Sequence, residues 1–224
     1  MSTRTLKPHL TWRFSDPAGV SVKYPDRVTF GWGCQSLPAC QAGRSRYLDE
    51  RDAHRDADEH EREEARKLFA PGTLVVTIGP AGSGKSRFAM PFPASWVVNL
   101  DELRGRLADD PGEQAVTRPA VQLQNILVAT RMERGLITVV DSTNVEASVR
   151  AGLLTKARTF GRPAAAVVFL TDLGNCLIRN ERRPASRRVR RTTVCWQHEQ
   201  TAAALKLLTG EGFDAVYTVG APRT

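Results

Sequence analysis

The chain has 224 residues, of which 41% are hydrophobic, and it carries a formal net charge of +8 with a sequence pI near 9.8. This length suits one packed α/β domain with an appendage, while the lack of a long apolar run or an apolar signal-peptide core argues against membrane insertion and predicts a cytoplasmic protein without a membrane partner. The excess of basic residues indicates an anionic partner, which composition alone cannot divide between nucleic acid and a small phosphorylated ligand.

Residues 1–70 are predicted to form an N-terminal extension. Its first part is rich in Gly, Pro, Ser and isolated aromatic residues and shows no sustained helical or strand period. Two short segments within it, 10–14 and 28–32, can pair as a small hairpin or stay loosely ordered. Residues 46–69 are charge-dense and predict a solvated helix that leads into the main domain.

Residues 71–224 are predicted to form the main domain, because apolar strand-like runs alternate with amphipathic stretches. This alternation is typical of a parallel sheet covered by helices. The predicted strands span 74–78, 96–99, 137–140, 165–170 and 215–219. The predicted helices span 84–90, 101–107, 113–134, 146–160, 172–182 and 187–208.

The segment Gly79–Ser86 reads Gly-Pro-Ala-Gly-Ser-Gly-Lys-Ser, follows the first predicted strand and opens the first predicted helix. This is the context of a phosphate-binding loop (P-loop), in which glycines let backbone N–H groups turn toward phosphate oxygens and the helix N-terminus favours negative charge. Lys85 is expected to reach the outer phosphates and Ser86 to coordinate Mg²⁺. The alternative is a glycine-rich turn without a ligand. The residues expected to bind the nucleotide here are Gly79, Ala81, Gly82, Ser83, Gly84, Lys85 and Ser86.

Asp101 and Arg104 follow the second predicted strand, three residues apart, and lie on one face of the helix that starts there. Ligands of open parallel sheets bind beyond the carboxyl ends of the strands, which places this pair at the expected site. Asp101 can take the proton from an attacking hydroxyl, and Arg104 can bind a phosphate of the acceptor. The alternative is that Asp101 caps the helix and pairs with Arg104 as a surface ion pair.

Asp141 ends the third predicted strand and is followed by Ser-Thr-Asn. In phosphate-binding folds of this kind, a carboxylate at this position holds Mg²⁺ through water or orients the Lys and Ser of the P-loop. The alternative is a simple helix cap. Asp141 is therefore predicted to join Ser86 as a metal-site residue.

Residues 179–191, which we call the lid, carry seven arginines between two predicted helices, with a break at Pro184-Ala185-Ser186. Phosphoryl transfer spreads negative charge over the migrating group, and a mobile arginine-rich segment can stabilise that charge. A plain solvated surface or a nonspecific nucleic-acid patch is the alternative. Together with the P-loop, these features predict an α/β protein of the P-loop NTPase fold, with a parallel sheet of about five strands flanked by helices.

Taken together, these motifs resemble the polynucleotide 5′-hydroxyl kinase family of P-loop phosphotransferases, especially the kinase module of bacterial end-healing enzymes. The resemblance spans residues 74–219 and rests on the P-loop, on Asn-Leu-Asp-x-x-Arg-Gly at 99–105, on Val-Val-Asp-Ser-Thr-Asn at 139–144 and on the lid. AAA and zeta-toxin-like P-loop phosphotransferases form the wider group that the chain resembles. The polynucleotide kinases transfer the γ-phosphate of ATP, or of another NTP, to a 5′-hydroxyl end of RNA or DNA.

The resemblance also implies roles for the matching residues. Lys85 and Ser86 serve the phosphates and Mg²⁺, Asp101 is the general base, and Arg104 contacts the acceptor's phosphate.

In the lid, Arg179 and Arg187 match arginines that touch the donor phosphates, and Arg183 is a further member of that set. The lid spacing of the family fits after one extra residue is allowed near Pro184, so Arg188 is the alternative to Arg187.

The predicted function is an ATP- and Mg²⁺-dependent kinase whose acceptor is a 5′-hydroxyl polynucleotide. One alternative is a small-molecule kinase of the same fold that acts on a nucleoside, a sugar nucleotide or an antibiotic. The other is an ATP-gated module that binds nucleic acid or a protein. The sequence predicts no oligomeric state.

Overall fold

The computed structural model describes residues 3–5, 11–16, 29–34, 42–47 and 49–220. The described residues fall into two compact units, one drawn from residues 1–6 and 69–224 and the other from residues 7–68.

The larger unit contains a parallel β-sheet of six strands in the order β1-β9-β8-β5-β7-β6. The strands are β1 Arg4–Thr5, β5 Leu74–Ile78, β6 Val97–Asn99, β7 Thr138–Asp141, β8 Ala164–Phe169 and β9 Ala215–Val219. The five predicted strands are confirmed to within one residue at each end. The sixth, β1, pairs with β9 at the edge of the sheet, and its two residues are too few to show a period in the sequence.

The α-helices of this unit are α2 Lys85–Ala89, α3 Leu100–Ala108, α4 Thr117–Glu133, α5 Ala147–Thr159, α6 Leu173–Glu181 and α7 Arg191–Glu211. Short 3₁₀ turns occur at Ala94–Trp96 and Ala185–Arg187. All six helices were predicted, but α4 begins four residues later than expected, and so does α7. Its N-cap, Arg190, has a non-helical backbone (ψ 138°), so the preceding 3₁₀ turn stays separate from the helix.

The core lies on both faces of the sheet. Every residue of β5 and β8 is buried, as expected for central strands of a parallel sheet that helices cover on two sides. Leu74, Val76 and Ile78 face the main aliphatic core together with residues of α4, α5 and α7. Phe169 of β8 packs edge-on against Phe88 within an aromatic cluster. The central strands are thereby fixed, and their carboxyl ends form a rigid base for the loops that follow them.

The smaller unit consists of an antiparallel sheet and one long helix. The strands are β2 Thr11–Asp16, β3 Thr29–Cys34 and β4 Gly43–Tyr47, in the order β2-β3-β4, and the helix is α1 Glu50–Lys67. The predicted hairpin and the predicted helix are therefore both present. Asp49 caps α1 by accepting a hydrogen bond from the Arg51 amide, and Ala53 and Ala57 are buried where α1 packs on the three strands. None of the described helices is both long enough and apolar enough to cross a membrane.

Candidate functional site

A cleft of about 710 Å³ opens beyond the carboxyl ends of β5, β6 and β7. Its walls come from the P-loop, from the first turn of α3, from the residues that follow β7, from the lid and from the start of α7. Four segments that sequence analysis singled out separately, namely the P-loop, the start of α3, the end of β7 and the lid, thus converge on one cavity.

The P-loop conformation depends on two of its glycines. Gly82 has a φ of +81°, and a Cβ on it would overlap the Cys176 carbonyl oxygen of α6. Gly84 has a φ of +102° and is the N-cap of α2. Because side chains disfavour positive φ, and because no Cβ fits beside α6, these positions require glycine.

Lys85 lies beneath the loop and is 8% exposed. Its Nζ donates hydrogen bonds to the carbonyl oxygens of Gly79 (2.9 Å) and Pro80 (2.7 Å). Burial lowers the pKa of Lys85 to about 8, and the nearby Asp141 carboxylate acts in the opposite direction. The lysine is therefore held in place by neutral acceptors, and an anion in the cleft would favour its charged form.

Four N–H groups of the loop remain open to a ligand. In residues 49–220, where the chain is described without a gap, we find no protein acceptor for the amides of Gly82, Gly84, Lys85 and Ser86. A row of backbone donors at a helix start is the arrangement that binds phosphate oxygens. The glycine-turn alternative gives no reason for a buried lysine beside such a row.

Asp141 ends β7 inside the cleft and is 5% exposed. Its Oδ2 accepts a hydrogen bond from Asn99 Nδ2 at 2.7 Å, across the pair of neighbouring strands β6 and β7. The interpretation of Asp141 as a helix cap is wrong, because the next helix, α5, has Glu146 at its N-cap. Asp141 therefore presents a carboxylate to the cleft from the end of a fully buried strand.

Asp101 lies in the first turn of α3 and faces two arginines. Its Oδ1 accepts a hydrogen bond from Arg104 Nη2, and its Oδ2 lies 3.5 Å from Arg187 Nη2 of the lid. It does not cap α3, because the N-cap is Asn99, whose Oδ1 accepts hydrogen bonds from the amides of Asp101 (2.8 Å) and Glu102 (3.1 Å). The capping half of the alternative is thus wrong, whereas the predicted ion pair with Arg104 is present.

Arg104 is 9% exposed and contacts more than Asp101. Its Nε donates a hydrogen bond to the Pro111 carbonyl at 3.0 Å and so holds the turn that follows α3 against the cleft. Arg104 thus fixes both the carboxylate of Asp101 and the position of this turn.

The lid runs from the last turn of α6 through the 3₁₀ turn to the first residue of α7. Asn180, which is 1% exposed, anchors it: its Nδ2 donates to the Val189 carbonyl at 2.8 Å, and its Oδ1 accepts from the Val189 amide at 3.1 Å. The lid also approaches the turn after α3, where a Cβ on Gly112 would overlap the Ser186 carbonyl oxygen. The lid is thus anchored at its base and touches the opposite wall.

Residues 74–208 match the model of the AAA_33 family, described as an AAA domain. The match covers more than half of the chain. The chain belongs to this AAA domain family. A search of curated proteins finds no match. Membership supports the wider P-loop phosphotransferase group, including nucleotide binding at the P-loop, and leaves the polynucleotide kinase family as a proposal.

Most of the site residues predicted from the sequence line the cleft of the AAA domain. They are Ala81, Gly82, Gly84, Lys85, Ser86, Asp101, Arg104, Asp141, Arg179, Arg183 and Arg187. Gly79 and Ser83 do not line it. Gly79 packs against Phe169, and the Ser83 carbonyl accepts a hydrogen bond from Thr171 Oγ1 at 2.8 Å, so both support the loop from behind. Arg188, the alternative to Arg187, also lines the cleft.

Sequence analysis assigned no role to three polar side chains that support the AAA domain cleft. Asn99 caps α3 and binds Asp141, Asn180 anchors the lid, and Gln197 accepts a hydrogen bond from the Ala81 amide at 2.9 Å. The signal for Asn99 was available, because asparagine just before a helix is a preferred N-cap. Gln197 and Asn180 gave no local signal, because their partners lie in other segments.

The residues of the cleft fit a magnesium ion that is shared with a substrate. Mg²⁺ usually takes one or two protein oxygens and completes its shell with phosphate oxygens and water. Ser86 and Asp141 supply such oxygens within the cleft. The described residues contain no group of three or more His, Cys, Asp or Glu that would form an all-protein cage.

Proposed function

We propose that the protein is an ATP- and Mg²⁺-dependent kinase that transfers the γ-phosphate to the 5′-hydroxyl end of RNA or DNA. The observation that carries the proposal is the convergence of a P-loop, a carboxylate at the start of α3 and an arginine-rich lid on one cleft. Residues 71–224 would form the kinase domain together with β1, which pairs with β9 in the same sheet, and the rest of residues 1–70 would be an N-terminal extension.

The donor nucleotide is proposed to bind at the P-loop. The open amides of Gly84, Lys85 and Ser86 would hold its phosphates, and Lys85 would reach the outer ones. Arg179 Nη1 lies close enough to donate to the Gly82 carbonyl (3.4 Å), which places this guanidinium beside the loop. Arg183 and Arg187 extend the positive charge along the lid.

Magnesium would be held by Ser86 and Asp141. When bound, it neutralises the charge that develops between the β- and γ-phosphates. Asn99 orients Asp141 through the 2.7 Å hydrogen bond, so this carboxylate keeps one oxygen for a second partner.

Asp101 is proposed to be the general base. The acceptor oxygen forms a bond to the γ-phosphorus while the bond from that phosphorus to the β,γ-bridging oxygen breaks, and ADP leaves. The hydroxyl proton passes to Asp101. Because Arg104 holds Oδ1, the oxygen that faces Arg187 would receive the proton once this arginine turns toward the donor phosphates.

The charge of the cleft favours a polyanionic acceptor. Its lining contains two carboxylates and eight cationic side chains, which are Lys85, Arg87, Arg104, Arg179, Arg183, Arg187, Arg188 and Arg190. MgATP carries about two negative charges and leaves most of this excess without a counter-charge. An acceptor with several phosphates, as at the end of a polynucleotide, would supply it.

The test is transfer of labelled γ-phosphate from ATP to a panel of 5′-hydroxyl RNA, 5′-hydroxyl DNA, nucleosides and sugar nucleotides, with Lys85→Met as the inactive control. We expect label on an oligonucleotide end, and we expect the affinity for that oligonucleotide to fall steeply as salt rises. Label on a small molecule alone would establish the small-molecule kinase. ATP binding without transfer to any acceptor would favour the binding module.

A further inference from the structure

Gln197 lies on α7 with its amide group inside the cleft. The residue is 8% exposed and lines the cavity, and its Oε1 accepts a hydrogen bond from the Ala81 amide of the P-loop at 2.9 Å. This bond fixes the orientation of the side-chain amide, because a backbone N–H needs an oxygen acceptor. The NH₂ group must therefore point away from the loop backbone.

The Nε2 of Gln197 has no hydrogen-bond partner in residues 49–220, the continuous described part of the chain. This nitrogen nevertheless keeps some exposure, because every fully buried side-chain nitrogen or oxygen among the described residues has a hydrogen-bond partner. A nearly buried donor that lines a cleft and lacks a partner is positioned for a ligand.

The neighbours of Gln197 indicate which part of a nucleotide this donor meets. Ala81 directly follows Gly79 and Pro80, whose carbonyl oxygens hold Lys85 Nζ. The P-loop lysine serves the outer phosphates, whereas the inner ones lie at the start of the following helix. The donor of Gln197 is thus at the outer-phosphate end of the loop.

We propose that Gln197 binds the γ-phosphoryl group of the donor nucleotide, so that the site distinguishes a triphosphate from a diphosphate. Nε2 donates to a γ-phosphoryl oxygen, while Oε1 keeps the Ala81 amide in place. Thr193, one turn earlier on α7, and Arg190, the N-cap of that helix, also line the cleft. The inference rests on the proposed function, since it assumes that a nucleoside triphosphate binds at the P-loop.

The test compares the binding of two nucleotides by calorimetry: ADP, and the non-hydrolysable β,γ-imido analogue of ATP, both with Mg²⁺. Gln197→Glu keeps an acceptor for the Ala81 amide, removes the donor and places a negative charge at the γ-position. Gln197→Met removes both the donor and the acceptor. Gln200→Glu makes the same chemical change on the same helix, outside the cleft, and is the control.

We expect Gln197→Glu to weaken binding of the imido analogue at least about tenfold relative to binding of ADP. The variant loses a hydrogen bond to the charged γ-phosphoryl group and adds a negative charge that repels it. Gln197→Met should shift the same ratio in the same direction, and Gln200→Glu should leave it unchanged. An equal loss for both nucleotides, or no loss, would overturn the proposal. If Gln197→Glu fails to fold, the ratio for Gln197→Met decides.

This outcome is separable from the test of the proposed function. The binding ratio needs no acceptor, so it is measurable even in a protein that transfers no phosphate. If the wild-type protein binds both nucleotides but labels no acceptor, the proposed kinase activity is wrong. The role of Gln197 is still decided by the ratio of the two nucleotide affinities.

Discussion

Lys85 in the P-loop and Arg187 in the lid are both cations that face the cleft, yet Lys85 is 8% exposed and the Arg187 side chain 44% exposed. Lys85 is fixed by buried carbonyl oxygens, whereas Arg187 makes a 3.5 Å ion pair with Asp101 at the surface. The P-loop wall is thus held by buried hydrogen bonds, whereas the part of the lid beyond its Asn180 anchor is held by exposed charges and one close backbone contact.

We infer from this difference that the two walls have different roles in binding. A rigid P-loop wall presents donors that need no reorganisation when phosphates bind, which is the arrangement that favours electrostatic stabilisation. A lid wall held by weak surface pairs can exchange partners at little cost, so its arginines can move from Asp101 to a substrate phosphate.

The same substitution at two ion pairs should have unequal effects on stability. Arg150 is 1% exposed, pairs with Glu211 at 2.6 Å and holds the carbonyl oxygens of Asn144 and Val145 behind the P-loop. Arg150→Gln leaves a poorly solvated carboxylate without its partner and should lower the free energy of unfolding by about 3 kcal/mol. Arg187→Gln breaks an exposed pair and should lower it by less than about 1 kcal/mol. Urea unfolding of both variants measures the two changes in the free energy of unfolding. Equal losses would show that the two walls are held equally firmly.

Alanine at two closely packed glycines extends the comparison to the backbone. Gly82 adjoins the Cys176 carbonyl in the buried part of α6, and its φ is +81°, so Gly82→Ala should destabilise the protein by about 1–3 kcal/mol and abolish nucleotide binding. Gly112 adjoins the Ser186 carbonyl of the exposed lid. Gly112→Ala should displace the lid with a stability change of about 0.5 kcal/mol or less.

The two glycine substitutions should also differ in their effect on nucleotide affinity. Gly112→Ala should keep ADP binding within a fewfold of the wild type while the KM for the acceptor rises. If Gly112→Ala unfolds the protein as readily as Gly82→Ala, the lid is as rigid as the P-loop.

The buried lysine predicts a pH dependence of nucleotide binding. The pKa of Lys85 is about 8 in the free protein because burial disfavours its charge, and bound phosphates should raise it. Below pH 8 the lysine is already protonated and contributes no pH dependence. Above pH 8 binding must take up a proton, so affinity should fall by up to about tenfold per pH unit until the pKa of the complex is reached.

Calorimetry at pH 8.5 in buffers of different ionisation enthalpy measures this proton uptake directly. Lys85→Arg is the matched control, because an arginine stays protonated across this range and its binding should show no such slope. A wild-type affinity that stays constant from pH 7 to 9.5 would show that Lys85 is charged before the nucleotide arrives.

The sequence was most informative where a function depends on neighbouring residues. The P-loop is recognisable from eight consecutive residues. Asp101 and Asp141 were predicted from the rule that ligands bind at the carboxyl ends of strands. The strands that carry them are continuous apolar runs, which makes them visible without a structure.

Contacts between distant segments were not predictable in this way. Gln197 lies 116 residues from Ala81, and nothing in α7 marks it as a partner of the P-loop. The start of α7 was placed too early because an arginine-rich run fits a helix, whereas the backbone at Arg190 is extended. The role of Arg104 in holding Pro111 is equally hidden, since it depends on how the turn after α3 folds back.

If this cleft is a phosphotransfer centre with Asp101 as its base, Asp101 is needed for phosphate transfer. Single-turnover transfer by Asp101→Asn, with the acceptor that the panel identifies, measures this need directly. Glu102→Gln is the matched control, because Glu102 is the adjacent carboxylate, is exposed and lies outside the cleft. We predict that Asp101→Asn binds ATP within a fewfold of the wild type and transfers phosphate about 10²–10⁴-fold more slowly, while Glu102→Gln remains fully active. Transfer by Asp101→Asn at the wild-type rate would show that Asp101 is not the base.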